Sequence, residues 1–163
     1  MNQISKFDYD ISYCEKKQAK PTRTELKCGS PGFVAFPLLA VADTTVTLAP
    51  LSIDASEFEH PSILLSFTAN VHANILENFR FQIFRQCLDQ PTPIPVGAIY
   101  YHSKIDAILD TDSINFTVCD NDFCKNSICT YFVVITGITI AVFTSYISNA
   151  TLSAIISDNS YDC

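Results

Sequence analysis

Seven cysteines carry most of the chemical potential of this 163-residue chain. Cys119, Cys124 and Cys129 are spaced C-x4-C-x4-C, with Cys28 and Cys87 upstream and Cys14 and Cys163 towards the two ends. Paired C-x2-C knuckles that fold around zinc are spaced differently. A fourth ligand would have to come from His102 or Cys87, and nothing in the sequence fixes either one nearby. Disulfide formation is therefore the leading reading, with metal binding or inert thiols as the alternatives. An odd count leaves at least one cysteine without a partner in its own chain. The stretch between Cys119 and Cys129 carries Asp-Asn-Asp, Lys125 and Asn126, which reads as an exposed hairpin tip with accessible thiols. Cys14 and Cys163 are not placed to staple a core; in a polymerising subunit both are placed to reach a neighbour.

Other chemistry finds little support. A cysteine nucleophile needs a histidine held against it, and His60, His72 and His102 each stand alone in ordinary strand or loop contexts. G-x-S-x-G, G-x-x-x-x-G-K-[ST] and H-E-x-x-H are all missing from the sequence. Acidic residues gather at Asp106, Asp110 and Asp112 and again at Asp120 and Asp122. Either group has the donors for calcium, but solvated turns are the simpler reading. The sequons at Asn115 and Asn149 fall inside strand patterns and carry little weight. No enzyme activity and no cofactor are expected.

Composition sets the class. Apolar residues make up 48% of the chain, too many for a disordered protein and enough for one sizeable core. Thr, Ile, Val, Phe and Tyr are abundant, which favours strands. The formal charge of −7 comes without a basic cluster, which argues against nucleic acid as a partner. No stretch reaches the ~18 apolar residues of a membrane-spanning helix; the best, Tyr131 to Phe143, is 13 residues long. The polar start, MNQISKFDYDISYCEKK, lacks the apolar region of a secretory signal. So many cysteines suit an oxidising exterior: either the thiols bind metal inside the cell, or the protein leaves by a route that needs no signal, such as cell lysis.

The elements that position the cysteines read as follows. Residues 1–24 form a polar arm in which Phe7, Tyr9, Ile11 and Tyr13 alternate as in a strand, just before Cys14. Lys-Lys-Gln-Ala-Lys-Pro then links it to a body over 25–163. In the body, Val46 and Leu48 share one parity and Leu51 and Ile53 the other, which predicts a bulge or an edge bend at Ala49-Pro50. Ile63, Leu65, Phe67 and Ala69 form one apolar face, and Phe79, Phe81 and Ile83 another. Ile114, Phe116 and Val118 alternate, as do Ala150, Leu152, Ala154 and Ile156. The stretch from Tyr131 to Phe143 is apolar on both faces and reads as a central strand or a buried hairpin. A turn or two of helix is the most that ANVHANILENF supports. About eight short alternating strands with Pro, Gly and Asp/Asn turns predict a single antiparallel jelly-roll-like β-sandwich.

Several short motifs occur in a telling order: KPTRTELKCG from Lys20 to Gly29, IPVG from Ile94 to Gly97, FTVCD from Phe116 to Asp120, and NATLSA from Asn149 to Ala154. In these the chain resembles a family of small cysteine-bearing proteins of anaerobic, spore-forming Firmicutes, known only as a domain of unknown function. The resemblance covers roughly residues 20–157 and implies no enzyme activity. In layout the chain is also similar to the jelly-roll subunits of endospore appendage fibres, whose cysteine-bearing N-terminal connectors bond to earlier subunits. It departs from them in having one arm cysteine, Cys14, where a pair is usual.

These readings converge on a structural subunit that self-assembles into an extracellular or spore-surface fibre. Its expected partner is itself. Phe7, Tyr9, Ile11, Tyr13 and Cys14 would join neighbours, with Cys28 or a cysteine of the 119–129 segment as acceptor. Made without a signal peptide, it would be released by mother-cell lysis. The alternative is a β-sandwich binding module for carbohydrate or metal that does not polymerise.

Overall fold

Alternation with period two dominates the sequence, and in a computed structural model of the chain every regular element among the described residues is a strand. The structure describes residues 23–36, 41–73, 78–103, 110–123, 127–138 and 145–158. The strands are β1 (Thr24–Cys28), β2 (Gly32–Phe36), β3 (Thr44–Asp54), β4 (Pro61–Ala73), β5 (Asn78–Cys87), β6 (Ile94–Ser103), β7 (Asp110–Asp120), β8 (Ile128–Gly137) and β9 (Ser145–Asp158). They form two antiparallel sheets. Sheet A runs β1-β9-β4-β7, with β2 also pairing β9, and sheet B runs β3-β8-β5-β6.

β1 and β2 lie end to end along the same side of β9: β1 pairs with Ser153–Ser157 and β2 with residues 145–150. Together they make one interrupted edge strand. With that pair taken as the first of eight strands, the sheet orders are 1-8-3-6 and 2-7-4-5, the two interleaved Greek keys of a jelly roll. Among the described residues, nine strands thus replace the expected eight because the first is broken at Gly29–Pro31. Gly29 donates its N–H to Leu152 O at 2.9 Å, and a Cβ at Gly29 would sit 2.8 Å from that oxygen.

The core lies between the sheets and is apolar because each strand points alternate residues into it. Ile63, Leu65 and Phe67 from β4 meet Phe81 and Ile83 from β5, and all are fully buried. Leu152 and Ile156 from β9, Val133 and Ile135 from β8, and Ile53 from β3 complete its centre. Phe67 lies 6.0 Å from Phe81 between ring centroids, across the two sheets. The anticipated irregularity in β3 is present: its register against β8 shifts between Leu48 and Leu51, and Ala49 has φ +53°.

Three expectations are corrected. Of the ANVHANILENF stretch, allowed above a turn or two of helix at most, residues 69–73 end β4, because Val71 and Ala73 continue its buried face, and residues 78–79 begin β5; 74–77 lie outside the described residues. β8 is central, between β3 and β5, but only one of its faces is fully buried; its outer face is largely half-exposed. The segment after Cys119 is not a hairpin tip. β7 belongs to sheet A and β8 to sheet B, so this segment crosses between the layers. Among the described residues, no helix is long and apolar enough to cross a membrane.

Candidate functional site

Arg85, Asp120 and Tyr131 form a buried cluster that the sequence reading missed. Phe79, Phe81 and Ile83 establish the core-facing parity of β5, and Arg85 and Cys87 continue it. An arginine is thereby carried between the sheets, with 3% of its surface exposed. Asp120, at the end of β7 in the opposite sheet, answers it. Arg85 Nη1 donates to Asp120 Oδ1 and Oδ2 at 2.8 and 2.7 Å, and Tyr131 OH donates to Oδ2 at 2.8 Å. The Asp122 backbone N–H adds a bond to Oδ1 at 3.1 Å. Asp120 is therefore not part of a solvated turn but a cross-sheet anchor. The parity of Arg85 was the available signal for it.

Burial opposes the charge on Arg85, but Asp120 outweighs it and leaves the guanidinium pKa above its ordinary value. Burial first, and then the neighbouring carboxylate, push the Tyr131 phenol far above its usual range. Neither change makes an acid or base for use near neutral pH, so the cluster is structural in kind.

Beside it lies the disulfide. Cys87 on β5 and Cys129 on β8 are direct cross-strand partners in sheet B, both buried, and are bonded to each other. The bridge spans 42 residues of sequence, for which the chain-entropy account gives about 4 kcal/mol of stabilisation.

The remaining described cysteines are different. Cys28 and Cys119 are free and exposed. Both point to the outer face of sheet A, Cys28 from β1 at one edge and Cys119 from β7 at the other. Leu26, Ile155, Leu64 and Cys119 form one row across that face, by their pairings. The first three are unusually exposed for large aliphatic residues, at 66%, 43% and 38%. Around them the face is hydroxyl- and amide-rich, with Ser66, Thr68, Asn70, Ser113, Asn115 and Thr117. Cys14, Cys124 and Cys163, together with Phe7, Tyr9, Ile11 and Tyr13 of the arm, lie outside the described residues.

The histidines are dispersed. His72 stacks on Tyr146 at 4.1 Å, with Thr111 Oγ1 at 2.7 Å and Ser148 Oγ at 3.2 Å. It is eight residues along β4 from Leu64, the partner of Cys119, which is roughly 27 Å at strand rise. His102 Nε2 lies 3.3 Å from Asp112 Oδ2. The His60 N–H donates to Asp158 Oδ1 at 2.8 Å. Among the described residues, no three His, Cys, Asp or Glu side chains are grouped to hold a metal ion.

The outer face of sheet B carries a shallow cavity of about 540 Å³. Arg80, Gln82, Phe84, Ile99, Val134 and Thr136 are among the residues that line it. Arg80 reaches Thr136 Oγ1 at 3.4 Å, and Phe84 stacks on Phe132 at 6.0 Å.

The family described as a domain of unknown function (DUF4489) matches residues 22–157. Among proteins of curated function, none matches the chain in sequence. The chain superposes on structures of infectious bursal disease virus, Gx and Gt strains, with TM-scores of 0.54 and 0.52. Identities are 11% and 12%, over 86% and 87% of this chain and 33% of each viral chain. It therefore spans about a third of the length of those viral chains. A carbohydrate-binding module of the β-sandwich superfamily is similar at a TM-score of 0.36 and 13% identity, over 78% of this chain and 55% of the module. The likeness to the viral chains is one of fold.

Proposed function

We propose that this chain, which belongs to the DUF4489 family of domains of unknown function, is a structural subunit that assembles with copies of itself into a covalently cross-linked fibre. The observation that carries this reading is the pair of exposed thiols on one sheet face. Cys28 and Cys119 are three strand spacings apart, about 14 Å. A disulfide bridges Cα atoms no more than about 7 Å apart, so neither thiol can be the other's partner. Cys87 and Cys129 are already taken. The two free thiols are thus available to thiols brought to this face from elsewhere, and Cys14 on the N-terminal arm is the natural candidate.

The setting that suits such a subunit is an oxidising exterior, where disulfides persist. A place on the spore surface or outside the cell, reached by mother-cell lysis, fits the resemblance to endospore appendage subunits. The test is negative-stain microscopy of the purified protein, followed by SDS with and without reductant. Regular filaments that survive SDS until reductant is added are the expected result. A monomer under oxidising conditions would rule the reading out.

The second reading, a binding module, is favoured by the sheet-B cavity with its aromatic and guanidinium lining. An oligosaccharide array probed with the purified protein tests it: retention that Phe84→Ala abolishes would support carbohydrate binding.

A further inference from the structure

A sandwich has four strand edges, and this one leaves them in unequal states. An open edge exposes unpaired N–H and C=O groups and templates another strand, so edges are commonly blunted by short strands, prolines, bulges or inward-pointing charges. The β1/β2 edge consists of two five-residue strands broken around Pro31. Glu25 and Lys27 point inward from β1 as an ion pair. β3 carries Pro50 and a register shift. β6 carries Pro95, a register shift and Gly97 at φ +67°. β7 is neither short, proline-bearing nor bulged; its inward-pointing charges, Asp112 and Asp120, lie towards its two ends and face His102 and Arg85. It runs for eleven residues, Asp110–Asp120, without proline or glycine, and pairs β4 in one unbroken register. Among the described residues β4 is its sole hydrogen-bonded neighbour.

We infer that β7 is the docking edge of the assembly, and that the strand it receives is Tyr9–Cys14 of a neighbouring copy, running parallel to β7 with Cys14 beside Cys119. This rests on the assembly reading above and adds which edge, which register and which acceptor.

The register follows from parity. β7 points Ile114, Phe116 and Val118 to the core side and Ser113, Asn115, Thr117 and Cys119 outward. If Cys14 lies beside Cys119, a parallel strand sets Tyr13 by Val118, Ile11 by Phe116 and Tyr9 by Ile114. Apolar then meets apolar on the core side, where Phe116 and Val118 are still only partly buried. The polar residues of the arm, Asp8, Asp10 and Ser12, fall on the outer side beside Ser113, Asn115 and Thr117. An antiparallel strand with the same thiol contact would run off the end of β7 after one pair. Cys28 offers no such match: Tyr13 and Ile11 would face Lys27 and Glu25, on a strand of five residues. Adjacent strands lie about 4.8 Å apart, within the Cα range of a disulfide.

A chain's own arm leads into β1, three strand spacings from β7, so reach alone does not choose between the chain's own edge and a neighbour's; the assembly reading chooses the neighbour. A chain that filled its own β7 edge would leave nothing for assembly to use. Twenty-two residues precede Arg23, enough to reach roughly 75 Å when extended. In the covalent step the Cys14 and Cys119 thiols each give up a hydrogen and one S–S bond forms. A low-molecular-weight disulfide takes up both electrons and both protons and is reduced to two thiols.

The experiment uses the full chain, assembled from an equal mixture of isotopically heavy and light protein with a low-molecular-weight disulfide as oxidant. Peptide mapping should recover Cys14 joined to Cys119, with heavy chains joined to light ones. Cys119→Ser should lose that linkage and Cys28→Ser should keep it. Independently of the thiols, Ile11→Lys should abolish filaments, while Ser12→Lys, on the outer side, should leave them intact. If filaments form but Cys14 is bonded to Cys28, or Cys119 to Cys119, the edge is wrong and the assembly reading stands. If every Cys14–Cys119 peptide joins residues of one chain, docking between copies is overturned. If the wild-type chain forms neither filaments nor bonds between chains, the assembly reading fails and takes this inference with it.

Discussion

Asp120 is the residue on which the two sheets meet electrostatically, and its surroundings define what substitution should do. A buried ion pair is not in itself a large source of stability, because desolvating both charges offsets their attraction. Here the match is also incomplete, since Arg85 Nε has no hydrogen-bond partner among the described residues. Breaking the pair from one side leaves a buried charge uncompensated. Asp120→Asn should therefore lower the unfolding free energy by about 3–5 kcal/mol, measured by urea denaturation. Arg85→Met combined with Asp120→Leu should cost distinctly less than the single change. A double variant as damaged as the sum of its parts would show that the two side chains act independently. Tyr131 makes a prediction in pH. Its phenol titrates near pH 10 in the unfolded chain and well above its usual range when folded, so at alkaline pH the native state binds the extra proton. The stability this supplies is fully present below about pH 10 and is lost as pH rises beyond it. Urea midpoints of wild type and Tyr131→Phe should be separated by a constant amount up to about pH 9 and converge above about pH 10. A separation that held steady across the alkaline range would contradict the burial of this phenol in its neutral form.

The IPVG stretch shows how an element is shaped by a contact in the other sheet. β6 slips its register against β5 between the partners of Phe81 and Ile83. The carbonyls so displaced are met by the Gln82 amide, which donates to Val96 O at 3.1 Å and Gly97 O at 3.3 Å. Gly97 adopts φ +67°, and a Cβ there would lie 2.3 Å from Val118 Cγ1 on β7. Both the backbone and the space therefore call for glycine. Gly97→Ala should cost about 2–5 kcal/mol, combining left-handed backbone strain with overpacking. Val118→Ala in the same chain should return the steric part and leave the backbone part. If the single change proved neutral by thermal melting, the bulge would not be confined as described.

At the scale of the whole molecule, the sandwich is complete in its core and incomplete at its margin. The disulfide and the Arg85–Asp120–Tyr131 cluster fix the interior near one end of β5 and β8. Cys28, Cys119 and the exposed aliphatic row lie outside on sheet A. If the interior is self-sufficient and the margin is for neighbours, removing the arm should separate folding from assembly. A chain lacking residues 1–20 should melt cooperatively as a monomer and show no filaments by microscopy. Cys14→Ser should still polymerise, into filaments that SDS disperses without reductant. Normal filaments from the truncated chain would assign assembly to the body alone.

The sequence by itself determined the all-β class, the core faces of β4, β5, β7 and β9, and the irregularity in β3. Each is written in a period-two pattern, and burying one face of a strand requires nothing beyond that pattern. The tertiary structure decided what depends on which strands become neighbours. Cys87 and Cys129 pair because β5 and β8 are adjacent in sheet B, a fact that spacing along the chain does not contain. Cys119 and Cys129 look like the two sides of one hairpin in sequence, yet β7 and β8 enter different sheets, leaving one sulfur outside as a thiol and the other in the core as half of a disulfide. Asp120 reads as one more turn acid until Arg85, 35 residues earlier, is brought beneath it from the opposite layer. Local pattern fixes which side of a strand is buried, and only the closing of the two Greek keys sets what each buried side meets.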